Sequence, residues 1–72
     1  MGTIYIVNQT NGVIHVRITQ VGQATLSFYD VNPGDTETWT RDYMEVAFIL
    51  KDEDGSSSEF VVTPGQTYNI LS

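Results

Sequence analysis

The chain of 72 residues has no cysteine, one histidine and three basic side chains. Without cysteine there is no disulfide framework, and a lone histidine leaves no donor set for a structural zinc ion. Three cations against nine carboxylates give a net charge of −6. A surface of that sign repels phosphate backbones, so nucleic acid is not an expected partner. No apolar run approaches the roughly 18 residues of a membrane span. The opening Met-Gly-Thr-Ile-Tyr-Ile-Val lacks the basic start and long apolar stretch of a secretory signal. A cytoplasmic location is therefore expected, with no membrane association. The sequon Asn8-Gln9-Thr10 would go unused there. Helical periodicity is missing too: no window repeats apolar residues at i, i+3 and i+4 over helical length.

What is present is short alternation bounded by Gly, Pro, Asn and Asp. Seven strands are expected, at about 3–9, 13–19, 24–31, 36–41, 44–51, 58–63 and 67–71. The expected fold is all-β, a small antiparallel sandwich of about seven strands forming one domain over 1–72, with a small barrel as the alternative. A chain this short buries only about 60% of its unfolded surface. With disulfide and metal excluded, an aromatic core or association with further copies must add stability. Eight aromatic residues are available for the first.

Alternation also suggests a register for the first two strands. Pairing Ile6 with Val16 and Ile4 with Ile18 makes a hairpin closed by Thr10-Asn11-Gly12, with Gly12 in the left-handed position. Tyr5 would then lie beside Arg17 on the outside, and Val7 beside His15. The third strand would show Ala24, Leu26 and Phe28 on one side. Asn32-Pro33-Gly34-Asp35 reads as a tight turn, with Pro presetting φ and Gly accepting a positive one. The strand over 36–41 is polar enough for an edge. Val46-Ala47-Phe48-Ile49-Leu50 is apolar on both faces, as a central strand is.

Two features point to self-association. All nine carboxylates lie between Asp30 and Glu59, so residues 1–29, with His15 and Arg17 as their only basic side chains, offer almost uncharged β surface without the usual protection against edge pairing. The last three strands also carry more apolar side chains than one inner face needs. Ala47, Ile49, Val61 and Leu71 are the surplus, assigned either to an interface between subunits or to a core that wraps both faces. A homo-oligomer, dimer or tetramer, is expected.

Catalytic residues are not expected. Nucleophilic catalysis needs a nucleophile within reach of a base. His15 stands among Ile14, Val16 and Arg17 with no carboxylate in its half of the chain. Asp52, Glu53 and Asp54 share one loop beside three serines, which reads as a solvated turn. Asp52-x-Asp54-Gly55 falls short of an EF-hand loop in ligand count, spacing and flanking helices. No metal and no cofactor are expected.

The candidate ligand-binding residues are Glu37, Trp39, Arg41 and Tyr43. Alternation puts Glu37, Trp39 and Arg41 on one face of a strand. An indole flanked by bidentate hydrogen-bonding groups suits a sugar: the ring stacks on the apolar face of a pyranose and the polar groups take hydroxyls. Trp39 as a core or interface plug, with Arg41 packed over its rim, stands beside that reading.

The run Pro33-Gly34-Asp35-Thr36-Glu37-Thr38-Trp39-Thr40-Arg41 with Glu45-Val46-Ala47-Phe48, and the opening Ile4-Tyr5-Ile6-Val7-Asn8-Gln9-Thr10 with Ile14-His15-Val16, resemble small cysteine-free cytosolic all-β proteins of mushroom-forming fungi. Those have a Pro-Gly turn before a Thr-Trp-x-Arg strand and then a Val-Ala-Phe strand. This chain departs from them at Tyr43-Met44-Glu45, where a Trp-Glu pair is expected. Most such proteins have no assigned activity, and their neighbours include lectins, haemagglutinins and pore-formers. The resemblance implies a sugar-binding or membrane-component-binding role. Together these readings lead to two functional expectations. One is a non-enzymatic, lectin-like module that binds glycans as an oligomer. The other is a structural, self-assembling β protein with no small-molecule ligand.

Overall fold

A computed structural model describes residues 1–23 and 26–72. They form seven strands: β1 (Gly2–Gln9), β2 (Ile14–Ile18), β3 (Tyr29–Val31), β4 (Thr36–Arg41), β5 (Glu45–Lys51), β6 (Ser57–Val62) and β7 (Thr67–Leu71). Among the described residues there is no helix, and so none long and apolar enough to cross a membrane.

The strands make two sheets, β4-β1-β7 and β3-β2-β5-β6, packed face to face as a small β-sandwich. Among the described residues no ladder joins the sheets, so they do not close into a barrel. One ladder departs from the antiparallel pattern: β1 runs parallel to β7. The polar strand β4 is an edge and the doubly apolar β5 is central.

Alternation decides which side chains go inside. Ile4 and Ile6 of β1, Trp39 of β4 and Ile70 of β7 meet Ile14, Val16, Ile18, Val31, Ala47, Ile49 and Val62 from the other sheet. Each fully buried Ile contributes roughly 1.5–3 kcal/mol by leaving water. Aromatic pairs close the two open sides. Trp39 meets Tyr29 where β4 faces β3, and Phe60 meets Tyr68 where β6 faces β7.

The expected first hairpin does not form. β1 pairs with β4 and β7, while β2 pairs with β3 and β5. Their isoleucines meet across the core instead of lying side by side. The cause is Asn8, which is fully buried where the chain leaves β1. Its Nδ2 donates to Gly12 O at 2.9 Å and Val31 O at 2.8 Å, and its Oδ1 accepts from Thr10 N at 2.9 Å. This polar knot carries the chain over the end of the sandwich into the other sheet. Positive φ occurs at Gly22, Gly34, Gly55 and Gly65, so Gly12 does not take the left-handed role that the hairpin required. Tyr5 and Val7 accordingly lie on the opposite sheet from Arg17 and His15.

The turn over Asn32-Pro33-Gly34-Asp35 forms as expected. Gly34 has φ 86° and Asp35 N donates to Asn32 O at 3.0 Å. It carries the chain between sheets, from β3 to β4.

Two further expectations need correction. The third strand begins only at Tyr29; Leu26 is half-buried and Phe28 exposed, while Ala24 lies outside the described residues. Of the apolar surplus, Ala47 and Ile49 are fully buried core residues, and only Val61 and Leu71 are exposed. The outward apolar side chains of β5 are Val46, Phe48 and Leu50, opposite in parity to Ala47 and Ile49.

Candidate functional site: a groove at the edge of the sandwich

β4 runs antiparallel to β1 with Ile6 opposite Glu37, Ile4 opposite Trp39 and Gly2 opposite Arg41. Glu37, Trp39 and Arg41 therefore share the inner face of an edge strand, as alternation requires. Their surroundings differ. Trp39 is 9% exposed and belongs to the core. Glu37, further toward the turn, is exposed. Arg41 is half-buried and committed to backbone: Nε donates to Thr19 O at 2.9 Å, Nη2 to Ile18 O at 3.0 Å and Nη1 to Thr40 O at 2.9 Å. It staples β4 to the end of β2 with one N–H from each of its three nitrogens.

Glu45 works at the same end. Its carboxylate is buried and accepts from Thr19 Oγ1 at 2.7 Å and Val21 N at 3.2 Å. The segment leaving β2 is thus held from both sheets.

The open side between β4 and β3 forms a depression of about 410 Å³ lined by Tyr29, Glu37, Thr38, Trp39, Thr40 and Arg41. Tyr29 supplies its exposed aromatic surface, at 59% exposure. Its ring meets the indole edge to face, with centroids 6.3 Å apart and planes at 76°. Tyr43 is not in this group. It opens on a neighbouring depression of about 270 Å³ that also holds Met1, Gln20, Val21, Asp42 and Glu45, and that shares only Thr40 and Arg41 with the first. Of the four expected residues, three converge and the fourth stands apart.

Sequence reasoning missed Tyr29. A signal existed: Tyr29 and Val31 are two apart, so an inward Val31 carries Tyr29 to the same side.

His15 also has surroundings other than those expected. Nδ1 lies 2.7 Å from Asp30 Oδ1 and Nε2 lies 2.8 Å from Asp52 Oδ1. Carboxylates from β3 and from the loop after β5 flank the imidazole on both sides. The hydrogen bond to Asp52, then that to Asp30, holds its pKa above the usual 6.5. With both nitrogens engaged, neither is open to take a substrate proton. The acids of the loop 52–54 diverge: Asp52 to His15, Glu53 Oε1 to Asn11 N at 2.9 Å and Asp54 Oδ1 to Ser56 N at 2.9 Å.

Comparison with protein-family models, curated proteins and solved structures returns no match.

Proposed function

We propose that this chain is a non-enzymatic, lectin-like binding module that works as an oligomer and takes a sugar in the groove between β3 and β4. The observation that carries this reading is the exposed Tyr29 ring, braced by Trp39, with the Glu37 carboxylate opening into the same depression. The ring offers an apolar platform for the C–H face of a pyranose. The Glu37 carboxylate offers a partner for sugar hydroxyls. A concave site with a few convergent polar groups is the usual form of a small-molecule site. Trp39 is the brace of the platform, and Arg41 its strut. Tyr43 serves an extended ligand that reaches the second depression.

One shallow groove on one small subunit binds weakly, and linking several multiplies the effect. The proposal therefore includes a homo-oligomer, in keeping with the resemblance to cytosolic fungal proteins. It calls for no cofactor, metal or nucleic acid.

A glycan array and haemagglutination assay with the wild type, Tyr29→Ala and Glu37→Gln test the reading. Binding by the wild type and its loss in both folded variants is expected. No glycan bound at high protein concentration overturns it.

A second reading, a self-assembling protein with no small-molecule ligand, is favoured by the outward apolar row Val46, Phe48 and Leu50 on β5. Association without any glycan affinity would select it.

A further inference from the structure

The outer face of the β3-β2-β5-β6 sheet has an order of its own. Across the strands, Arg17 of β2 stands opposite Phe48 of β5, and Phe48 stands opposite Glu59 of β6. On one side of this row lie His15, Leu50 and Ser57, and on the other Val46 and Val61. A sheet face open to water normally carries polar residues in alternation. Here the central strand is apolar outward as well as inward, and Phe28, Leu50 and Val61 are exposed around it.

Arg17 is held in place before any partner arrives. Its guanidinium carbon lies 4.4 Å from the Phe48 ring centroid and 5.4 Å from that of Phe28. Nε is buried and has no hydrogen-bond partner among the described residues. Glu59, on the far side of Phe48, is exposed and makes no ion pair among them. A fixed cation and an exposed anion therefore flank one phenyl ring, each about 4.8 Å away in strand spacing.

From this symmetry we infer that the face binds a second copy of the chain, sheet against sheet, about a two-fold axis running along β5 through Phe48. That rotation exchanges the positions of β2 and β6. It lays each copy's Arg17 over the other's Glu59 and brings Phe48 against Phe48. Val46 and Leu50 each meet their own counterparts. The contact is isologous and closes at two subunits. The opposite sheet, which carries the uncharged surface of residues 3–7, has no such charged row and stays free. The inference deepens the oligomeric part of the proposed function, and measuring mass without any sugar present separates the two.

The test is sedimentation equilibrium on the wild type, Arg17→Glu, Glu59→Arg and an equimolar mixture of the two variants, with circular dichroism confirming the fold of each. The wild type is expected at twice the 8.0 kDa chain mass at high micromolar concentration. Each single variant places like charges face to face and is expected to dissociate at least about tenfold more readily. In the mixture, a heterodimer pairs opposite charges at both contacts, so association returns. The double variant R17E/E59R is expected to dimerise as the wild type does, and it keeps the test open if Arg17→Glu alone does not fold. A monomeric wild type overturns the inference. So does a dimer indifferent to both single reversals, or failure of both the mixture and the double variant to recover association.

Discussion

Tyr29 and Trp39 stand edge to face across the open side of the sandwich, one ring largely in solvent and the other at the rim of the core. The two aromatic residues of one groove therefore have separable duties. Trp39→Ala is expected to lower stability by about 3–5 kcal/mol, as removal of a large core side chain does. Tyr29→Ala is expected to cost under about 1.5 kcal/mol, the value of an aromatic pair. Urea unfolding of the two variants measures the difference. Equal losses contradict the division.

The knot around Asn8 makes a second prediction. Asn8→Leu keeps the branched shape but strands Thr10 N and the carbonyl of Val31 at the buried end of the sandwich, while Gly12 O keeps Thr10 Oγ1 as a donor. Each unmet buried group costs about 1–3 kcal/mol, so a loss of at least about 2 kcal/mol is expected. Asn8→Asp keeps the acceptor and loses both donors, and is expected to fall on the same side. A neutral Asn8→Leu in thermal unfolding would show that this corner does not fix the crossing.

Much of this arrangement can be read from residue order, and the places where it cannot are instructive. Alternation located all seven strands within a few residues, except that only Tyr29–Val31 of the third is regular. Parity also put Glu37, Trp39 and Arg41 on one face. It could not distinguish β1 pairing with β2 from β1 facing β2 across the core, because both send Ile4, Ile6, Val16 and Ile18 inward. The deciding residue was Asn8, whose bonds reach Val31, 23 positions away. Arg41 looked like a ligand residue because side-chain chemistry shows donors, not their partners. Its partners are the carbonyls of Ile18 and Thr19, brought near by the same crossing.

Arg41 makes the third prediction. Arg41→Met keeps the aliphatic stem and removes its hydrogen bonds to Ile18, Thr19 and Thr40. Bonds from a charged donor are worth about 1.5–3 kcal/mol, reduced here by partial exposure, so a loss of about 1–2 kcal/mol is expected. Amide hydrogen exchange should accelerate at Thr19 and Val21 while the centre of β5 stays protected. Uniform acceleration would mean that Arg41 does not act locally.

His15 makes the fourth. Its pKa is raised in the folded chain, with the Asp52 bond as the larger cause and the Asp30 bond as the second. A raised folded pKa contributes stability that is fully present below about pH 6.5, the unfolded value, and that is lost as pH rises through the folded value. An NMR titration of the imidazole should report a midpoint above 6.5. Asp52→Asn should lower it more than Asp30→Asn does. A midpoint at or below 6.5 would mean that the two contacts do not persist in solution.

The most direct measurement of the proposed sugar site is an NMR titration of the labelled chain with the glycan that binds best on the array. Perturbations confined to Tyr29, Glu37, Thr38 and the Trp39 indole, absent in Tyr29→Ala, are the expected result. Perturbations centred elsewhere, or a glycan that leaves Tyr29 and Glu37 untouched, would contradict the assignment of the groove as the sugar site.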